Sequence, residues 1–469
     1  MGYKSHQELK NSTIIGYGAA FFGYGFITQM FATYLVFYAT VILKISGSVV
    51  GLIISLSIVW DAISDPVMGY ISDNTTAKMG KRHIYILYGT LCLTLVNTFL
   101  WRVDPCASGL AKFLWILVSV FLIKTFVTVF VTPYSALGAE LSADYDERTK
   151  IQTVKTTYFL VALMLVTAVS MFVFFVPTVT YPVGQLNPSA YKNMGYTASV
   201  LMLVTGLITF FSTKKYAHVN PVKVQRQLVL GDFLARVKDS FKNKDFTIIF
   251  VGYLFTNIAS AIIGVIGLHT FTYTFQMNNY KIGVVLAVQF SVCVVAQPIW
   301  LKLSKLLEKK DAVLLGLKTS MVACMLLLLL VIFRAQVVLR FEYMIVYAII
   351  IGFGTSGLFS IPLSMVADTV DLQEVESNER NEGVFYGMLN FGYKLSQSIA
   401  ILILGFILDL IQFDPDLSIQ KSFTSFQLGL VLSVGSMVAF YFAIQAYKNY
   451  GLTKERIIAL QDELSARED

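Results

Sequence analysis

Charge is scarce in this chain. Asp, Glu, Lys and Arg make up only 14% of its 469 residues, against roughly 25% in ordinary soluble proteins. A soluble globule of this length could bury a large core, but its surface would still need those charges. The shortage excludes a soluble enzyme, a disordered chain and a nucleic-acid binder. Histidine is rare too. The 4 His (6, 83, 218 and 269) form neither a metal-ligand spacing nor a triad with nearby nucleophiles. No Gly-rich loop ending in Lys-Ser or Lys-Thr is present to cradle a nucleotide phosphate, which argues against ATP drive. The 4 Cys (92, 106, 293 and 324) are too few for a disulfide framework, and three of them sit inside apolar runs. What remains is apolar: 56% of residues are hydrophobic and the mean hydropathy is +0.67. The solvent of such a chain is mostly lipid.

A lipid-spanning helix needs roughly 20 mostly apolar residues. Twelve stretches qualify: 13–43, 49–72, 84–102, 113–135, 153–177, 195–213, 246–268, 282–303, 312–333, 343–364, 384–410 and 424–446. They are numbered spans 1 to 12. The first is long enough to be tilted or broken. It lacks the pattern of a cleavable leader, because no small-residue cleavage site follows a short apolar core. With both termini inside, the inner segments hold 24 of the 36 Lys and Arg and the outer loops hold 8. That bias predicts a multi-pass plasma-membrane protein with cytoplasmic termini. The net charge of +7 then belongs to the cytoplasmic membrane face and needs no nucleic-acid partner.

The longest inner segment, 214–245, carries eight Lys and Arg and divides the spans six and six. It separates a bundle at 1–213 from a bundle at 246–446, which a tail at 447–469 follows. Its apolar residues at 230, 233, 234, 237 and 241 suit an amphipathic helix on the membrane surface; a plain basic linker fits equally.

The two halves echo each other. Span 4 ends in Pro133-Tyr-Ser135 before Glu140, and span 10 ends in Pro362-Leu-Ser364 before Asp368, an offset of 229 between the prolines. Asp65-Pro66 of span 2 and Gln297-Pro298 of span 8 stand 232 apart. Two matches at nearly one offset favour duplication of a six-span unit. The expected fold is therefore an all-α membrane protein, with twelve transmembrane helices in two six-helix bundles. Parallel repeats of this kind build the major facilitator fold, with a substrate site between the halves.

Three charges lie where lipid should be. Asp61 and Asp65 stand four apart in an apolar helix and so share one face. Asp61 is about 12 residues, roughly 18 Å, from the outer end of its span. A carboxylate at that depth costs several kcal/mol, and two of them repel. The pair persists if a cation sits between them, a proton neutralises one, or a basic group joins them. Pro66 also leaves the Ala62 carbonyl without its helical donor, and oxygens of these kinds suit a hard cation such as Na⁺. A static salt bridge that fixes packing is the alternative. Lys394, deep in span 11 beside Gln397 and Ser398, cannot easily snorkel to water. Its expected partner is the span-2 pair. Lys124, mid-way along span 4, and Gln397 on span 11 are candidate cavity residues, whereas Lys155 and Lys318 lie near inner ends and read as headgroup contacts. The aromatic and glycine cluster of span 1, including Tyr24 and Gly25, suits a sugar ring or an acyl chain. Charges at matching inner ends, Asp73, Arg82, Glu140, Arg148, Asp368, Asp371 and Arg380, are expected to form a cytoplasmic gate; ordinary solvated loops are the alternative.

WDAISDPVMGYISD before MGKR, PYSALGAEL before DERT, and ADTVD with the later GYK together resemble the glycoside–pentoside–hexuronide:cation symporters. These are the melibiose-carrier branch of the major facilitator superfamily, and the resemblance runs along the whole chain. It implies Na⁺- or H⁺-coupled uptake of a sugar or glycoside by a monomer, with no cofactor beyond the coupling ion. Asp61 and Asp65 match the family's span-2 cation-site acids. Lys394 matches its span-11 lysine, and Tyr134 falls in the region that contacts substrate. The chain also departs from the pattern. Gly25 and Val131 stand where the melibiose carrier has aspartates, Ser135 where it has a tryptophan, and Lys155 and Thr156 in its span-5 arginine region. These changes argue against galactoside recognition of that kind, and the lost acid weakens the argument for Na⁺ over H⁺. A branch of the family that moves lysophospholipids shares the span-2 acids, so an amphiphile remains the alternative substrate. A non-transporting receptor, the further alternative, leaves the deep charges unexplained. The tail is too short for the phosphotransferase-like domain of the long lactose carriers.

Overall fold

A computed structural model describes residues 9–142, 145–216, 240–377, 382–417 and 419–468. Among these, all regular structure is helical. Twelve helices are long and apolar enough to cross a membrane: Asn11–Ile42, Gly47–Asp73, His83–Leu100, Gly109–Gly138, Lys150–Val173, Pro188–Tyr216, Lys244–Thr274, Asn279–Ser304, Lys309–Ile332, Tyr343–Val375, Val384–Leu410 and Ser422–Tyr447. Each overlaps one expected span and keeps its number. Span 1 is continuous rather than broken by a loop. It is one α-helix, Asn11–Phe37, that ends in a wider π turn, Tyr38–Ile42. The expected surface helix over 230–241 falls almost wholly outside the described residues.

The chain forms two compact units, Met1–Gln225 and Arg226–Asp469. In the first, span 1 packs on spans 5 and 6, span 3 on spans 4 and 6, and span 2 on span 4. In the second, span 7 packs on spans 11 and 12, span 9 on spans 10 and 12, and span 8 on span 10. The same pairings recur in the same order. The π turns that close spans 1 and 7, Tyr38–Ile42 and Thr270–Thr274, start 232 residues apart. That equals the offset of the span-2 and span-8 prolines.

The repeat is imperfect at span 10. Span 4 passes through Pro133 as one helix to Glu140. Span 10 breaks into Tyr343–Ser356, a short 3₁₀ turn Gly357–Phe359, and Ile361–Ser377. Trp300 of span 8 occupies the break: its indole N–H donates to the Phe353 carbonyl at 2.9 Å, and its ring fills the place a side chain at Gly357 would take. The tail is also more than a tail. Lys454–Glu468 forms a helix that packs on Ile361–Ser377, the second segment of span 10. The Asp245 carboxylate accepts from the Gly451 N–H at 2.7 Å, and the Glu308 carboxylate accepts from the Lys454 N–H at 3.0 Å.

Span 1 is the most enclosed helix of its unit, which its run of small residues permits. A Cβ at Gly23 would stand 2.6 Å from the Met202 Cα and 2.9 Å from its backbone nitrogen on span 6. Backbone cannot yield as a side-chain tip can, so Gly23→Leu is expected to destabilise the protein by about 2 kcal/mol or more. Gly264 on span 7 has nothing within 4 Å of its Cβ position, so Gly264→Ala should leave the melting temperature unchanged or raise it slightly. Thermal melting of the purified variants checks both; equal melting of the two would contradict this packing.

Candidate functional site

Span 2 remains helical through Pro66, so Asp61 and Asp65 project one turn apart, toward span 4. Asp61 is 5% exposed and Asp65 is half-buried. Between them sits Thr128. Its hydroxyl lies 3.1 Å from Asp61 Oδ1, 2.8 Å from Asp65 Oδ1 and 3.2 Å from the Ser64 hydroxyl. One hydroxyl proton can serve only one of these acceptors at a time. One turn earlier on span 4, Lys124 Nζ stands 3.6 Å from Asp61 Oδ2 and 5.6 Å from the centre of the Phe31 ring. The Trp60 indole donates to the Thr125 hydroxyl at 2.9 Å, which fixes the register of spans 2 and 4. Two carboxylates thus converge on a single hydroxyl, and an ammonium stands beside one of them. The oxygens are hard donors that suit Na⁺, and the carboxylates can equally take a proton.

Lys124, an even choice on sequence grounds, is therefore part of the acid cluster. Thr128 was not visible, since a threonine in an apolar run carries no signature; its spacing of four from Lys124 was the available clue. Lys394 and Gln397 lie half-buried on span 11 of the second unit.

The expected substrate residues divide. Tyr24 is half-buried, with its ring 4.9 Å from Phe21 and 6.0 Å from Phe159. Gly25 is buried: a Cβ there would stand 2.9 Å from the Phe159 ring and 3.1 Å from the Ala162 Cβ, so its smallness lets spans 1 and 5 approach. Tyr134 is also withdrawn, at 0% exposure. Its hydroxyl donates to the Tyr17 carbonyl at 2.9 Å, while the Tyr17 hydroxyl donates to the Tyr134 carbonyl at 3.0 Å. Their rings stack 4.4 Å apart. Both polar groups are spent on pinning span 1 to span 4.

The span ends that the charge bias assigns to the inner side carry ion pairs that each tie one unit internally. Arg82, 6% exposed, donates to Asp73, to the Ser72 hydroxyl at 2.5 Å and to Glu140 at 3.0 Å. Lys81 joins Glu140 at 3.0 Å. In the second unit Lys309 donates to both oxygens of Asp368 at 2.7 and 2.6 Å. Lys309 escaped notice, although it follows Lys81 by 228 residues, close to the repeat offset. Asp371 is half-buried nearby on span 10. The Arg148 side chain and Arg380 lie outside the described residues.

The profile of a family described as MFS/sugar transport protein matches residues 16–449. The chain belongs to that family. The transporter is 24% identical to the putative glycoside/cation symporter YagG of Escherichia coli, with 96% of this chain and 94% of YagG covered. It is 22% identical to the mouse sodium-dependent lysophosphatidylcholine symporter 1, with 90% of this chain and 82% of the relative covered. Its fold matches the inward-open xylose transporter XylE of E. coli with a TM-score of 0.62 at 10% identity, covering 96% of this chain and 98% of XylE. The chain is thus a multi-pass membrane transporter of the major facilitator type, not an enzyme, and it fits the glycoside–pentoside–hexuronide:cation symporter branch.

Arg82 holds two acids at the inner end of the first unit. Arg82→Ala leaves Glu140 and Asp73 without it in a partly enclosed place. The expected cost is about 3 kcal/mol, the low end for a buried pair because Asp73 is half exposed. Thermal melting should show a drop of several degrees for the variant, and adding Glu140→Gln should restore part of it. A wild-type melting point for Arg82→Ala would show that the cluster contributes nothing to stability.

Proposed function

We propose that this transporter is a symporter that couples entry of Na⁺ or H⁺ to uptake of a sugar or glycoside by alternating access. The cluster of Asp61, Asp65, Thr128 and Lys124 carries this reading. Two carboxylates held one turn apart in an apolar helix are costly. A cation or proton joining them and the ammonium moves the group toward neutrality. Binding energy of that kind is what a carrier needs to bias its states. The cation favours the form open to the outside, and substrate then binds between the bundles. The empty and the fully loaded carriers reorient most easily. Lys394 is the residue we assign to read cation occupancy from the second unit. The charges at the inner ends of the spans, Asp73, Arg82 and Glu140 with Asp368 and Asp371, are assigned to the cytoplasmic gate. Both termini are placed in the cytoplasm by the bias of 24 Lys and Arg inside to 8 outside, and the plasma membrane is the expected location. A single chain suffices for this cycle.

A second substrate class is supported by one finding, the 22% identity to a sodium-dependent lysophosphatidylcholine symporter over 90% of this chain. The same acids would then drive an amphiphile.

Uptake into proteoliposomes under imposed Na⁺ or H⁺ gradients, with sugars and lysolipids as probes, separates these readings. Asp61→Asn is expected to abolish accumulation while insertion and folding persist; normal accumulation by that variant would sink the coupling role. Thr128→Val keeps both carboxylates but removes the hydroxyl between them. It should raise the cation concentration for half-maximal uptake by about tenfold, the worth of one hydrogen bond to a charged group.

A further inference from the structure

Two lysines of the first unit point inward, and they meet different company. Lys124 has the Asp61 carboxylate at 3.6 Å. Lys155, on span 5, has no carboxylate within ion-pair distance among the described residues. Its Nζ lies 4.4 Å from the centre of the Phe21 ring and 5.6 Å from that of Tyr134. Its hydrogen bond goes to the Ser135 hydroxyl at 3.4 Å. These partners sit on spans 1 and 4, so the ammonium turns into the bundle and does not reach for headgroups as its sequence position suggested. Lys155, Phe21, Tyr24, Ser135 and Phe159 are all half-buried, which leaves the group reachable.

Within their membrane-spanning bounds, spans 1, 4, 5 and 6 contain no Asp or Glu. The acids of these helices stand beyond those bounds, Glu140 at the end of the span-4 helix and Asp146 and Glu147 in the first turn of the span-5 helix. Aromatic faces return only about 0.5–2 kcal/mol to an ammonium, and an ammonium has three protons to donate. Ser135 accounts for one. A cation held in this way, with donors to spare and rings beside it, is complementary to an anion on a cyclic or apolar body.

We propose that Lys155 is the anion-recognition residue of the substrate site. The transported solute carries a carboxylate or phosphate that pairs with Lys155, and its ring lies against Phe21, Tyr24 and Phe159. The inference rests on the symport reading above and narrows its substrate to a charged sugar. It also gives the cycle a charge balance, since an anion entering beside a cation brings little net charge into the bundle.

Matched probes test it on the full chain in proteoliposomes. Methyl glucuronide against methyl glucoside differs by a carboxylate, and glucose 6-phosphate against glucose differs by a phosphate. In one pair the charged member is expected to enter at least tenfold faster than the neutral one under a cation gradient, and the pair that shows this names the anion. Lys155→Met should reduce that ratio to within about twofold, and Lys155→Arg should keep most of it. Preference for the neutral member in both pairs overturns the proposal and leaves sugar symport standing, as does an unchanged ratio in Lys155→Met. Failure of all four probes under either gradient removes the sugar-symport reading and this proposal with it. The wild-type ratios and Lys155→Arg decide the matter even if Lys155→Met does not assemble.

Discussion

A pair of carboxylates one helical turn apart, in a helix otherwise fit for lipid, constrains everything around it. Neither Asp61 nor Asp65 can be left to hydrocarbon, so neighbouring side chains must gather on them. Span 4 supplies Lys124 and Thr128 on one face, and the Trp60–Thr125 hydrogen bond holds the two helices in register for that meeting. Pro66 lies one residue beyond Asp65 without ending the helix. Under the proposed coupling, a cation shared by these acids would link the packing of spans 2 and 4 to an ion gradient.

Duplication explains the scaffold that carries this cluster. Both units use the same five helix pairings, and both close their first helix with a π turn at the same offset. Function enters where the copies diverge. Asp65-Pro66 in one copy is Gln297-Pro298 in the other, so the acid pair exists once. Span 4 runs through its proline, while span 10 breaks and admits Trp300. At the inner ends the copies keep one theme with different residues, Arg82 with Glu140 and Lys309 with Asp368. Such pairs inside each unit stiffen its inner end, a precondition for units that move as bodies.

Much of this was legible in the sequence because lipid imposes a simple rule: a span must be apolar for its full length. All twelve spans and the place of Asp61 within span 2 follow from that rule, and the repeat follows from two proline motifs at nearly one offset. Span ends were less legible, because helices outrun the hydrocarbon-like stretch. Span 6 begins at Pro188, before its apolar run, and span 10 continues to Val375 through an end that carries Asp368, Asp371 and Glu374. Contacts between residues far apart in the chain left no local mark. Tyr134 falls in the region where the resemblance implies substrate contact, and only the structure shows that it exchanges hydrogen bonds with Tyr17, 117 residues away. Gly25 stood in an aromatic run that suggested a binding face, but its smallness serves the approach of span 5. The sequence position of Lys155 shows only its nearness to a span end, whereas the direction of its side chain is set by Phe21 and Ser135 on two other helices.

The central claim is that the Asp61–Asp65 cluster is where the coupling cation binds. Equilibrium binding of Na⁺ to the purified transporter, with proton uptake or release followed in the same titration, tests it without knowledge of the substrate. The account predicts one saturable cation site per chain, in which Na⁺ and protons compete or the proton alone binds, and its loss when both acids are changed to asparagine. Saturable binding of wild-type affinity in that double variant would contradict it.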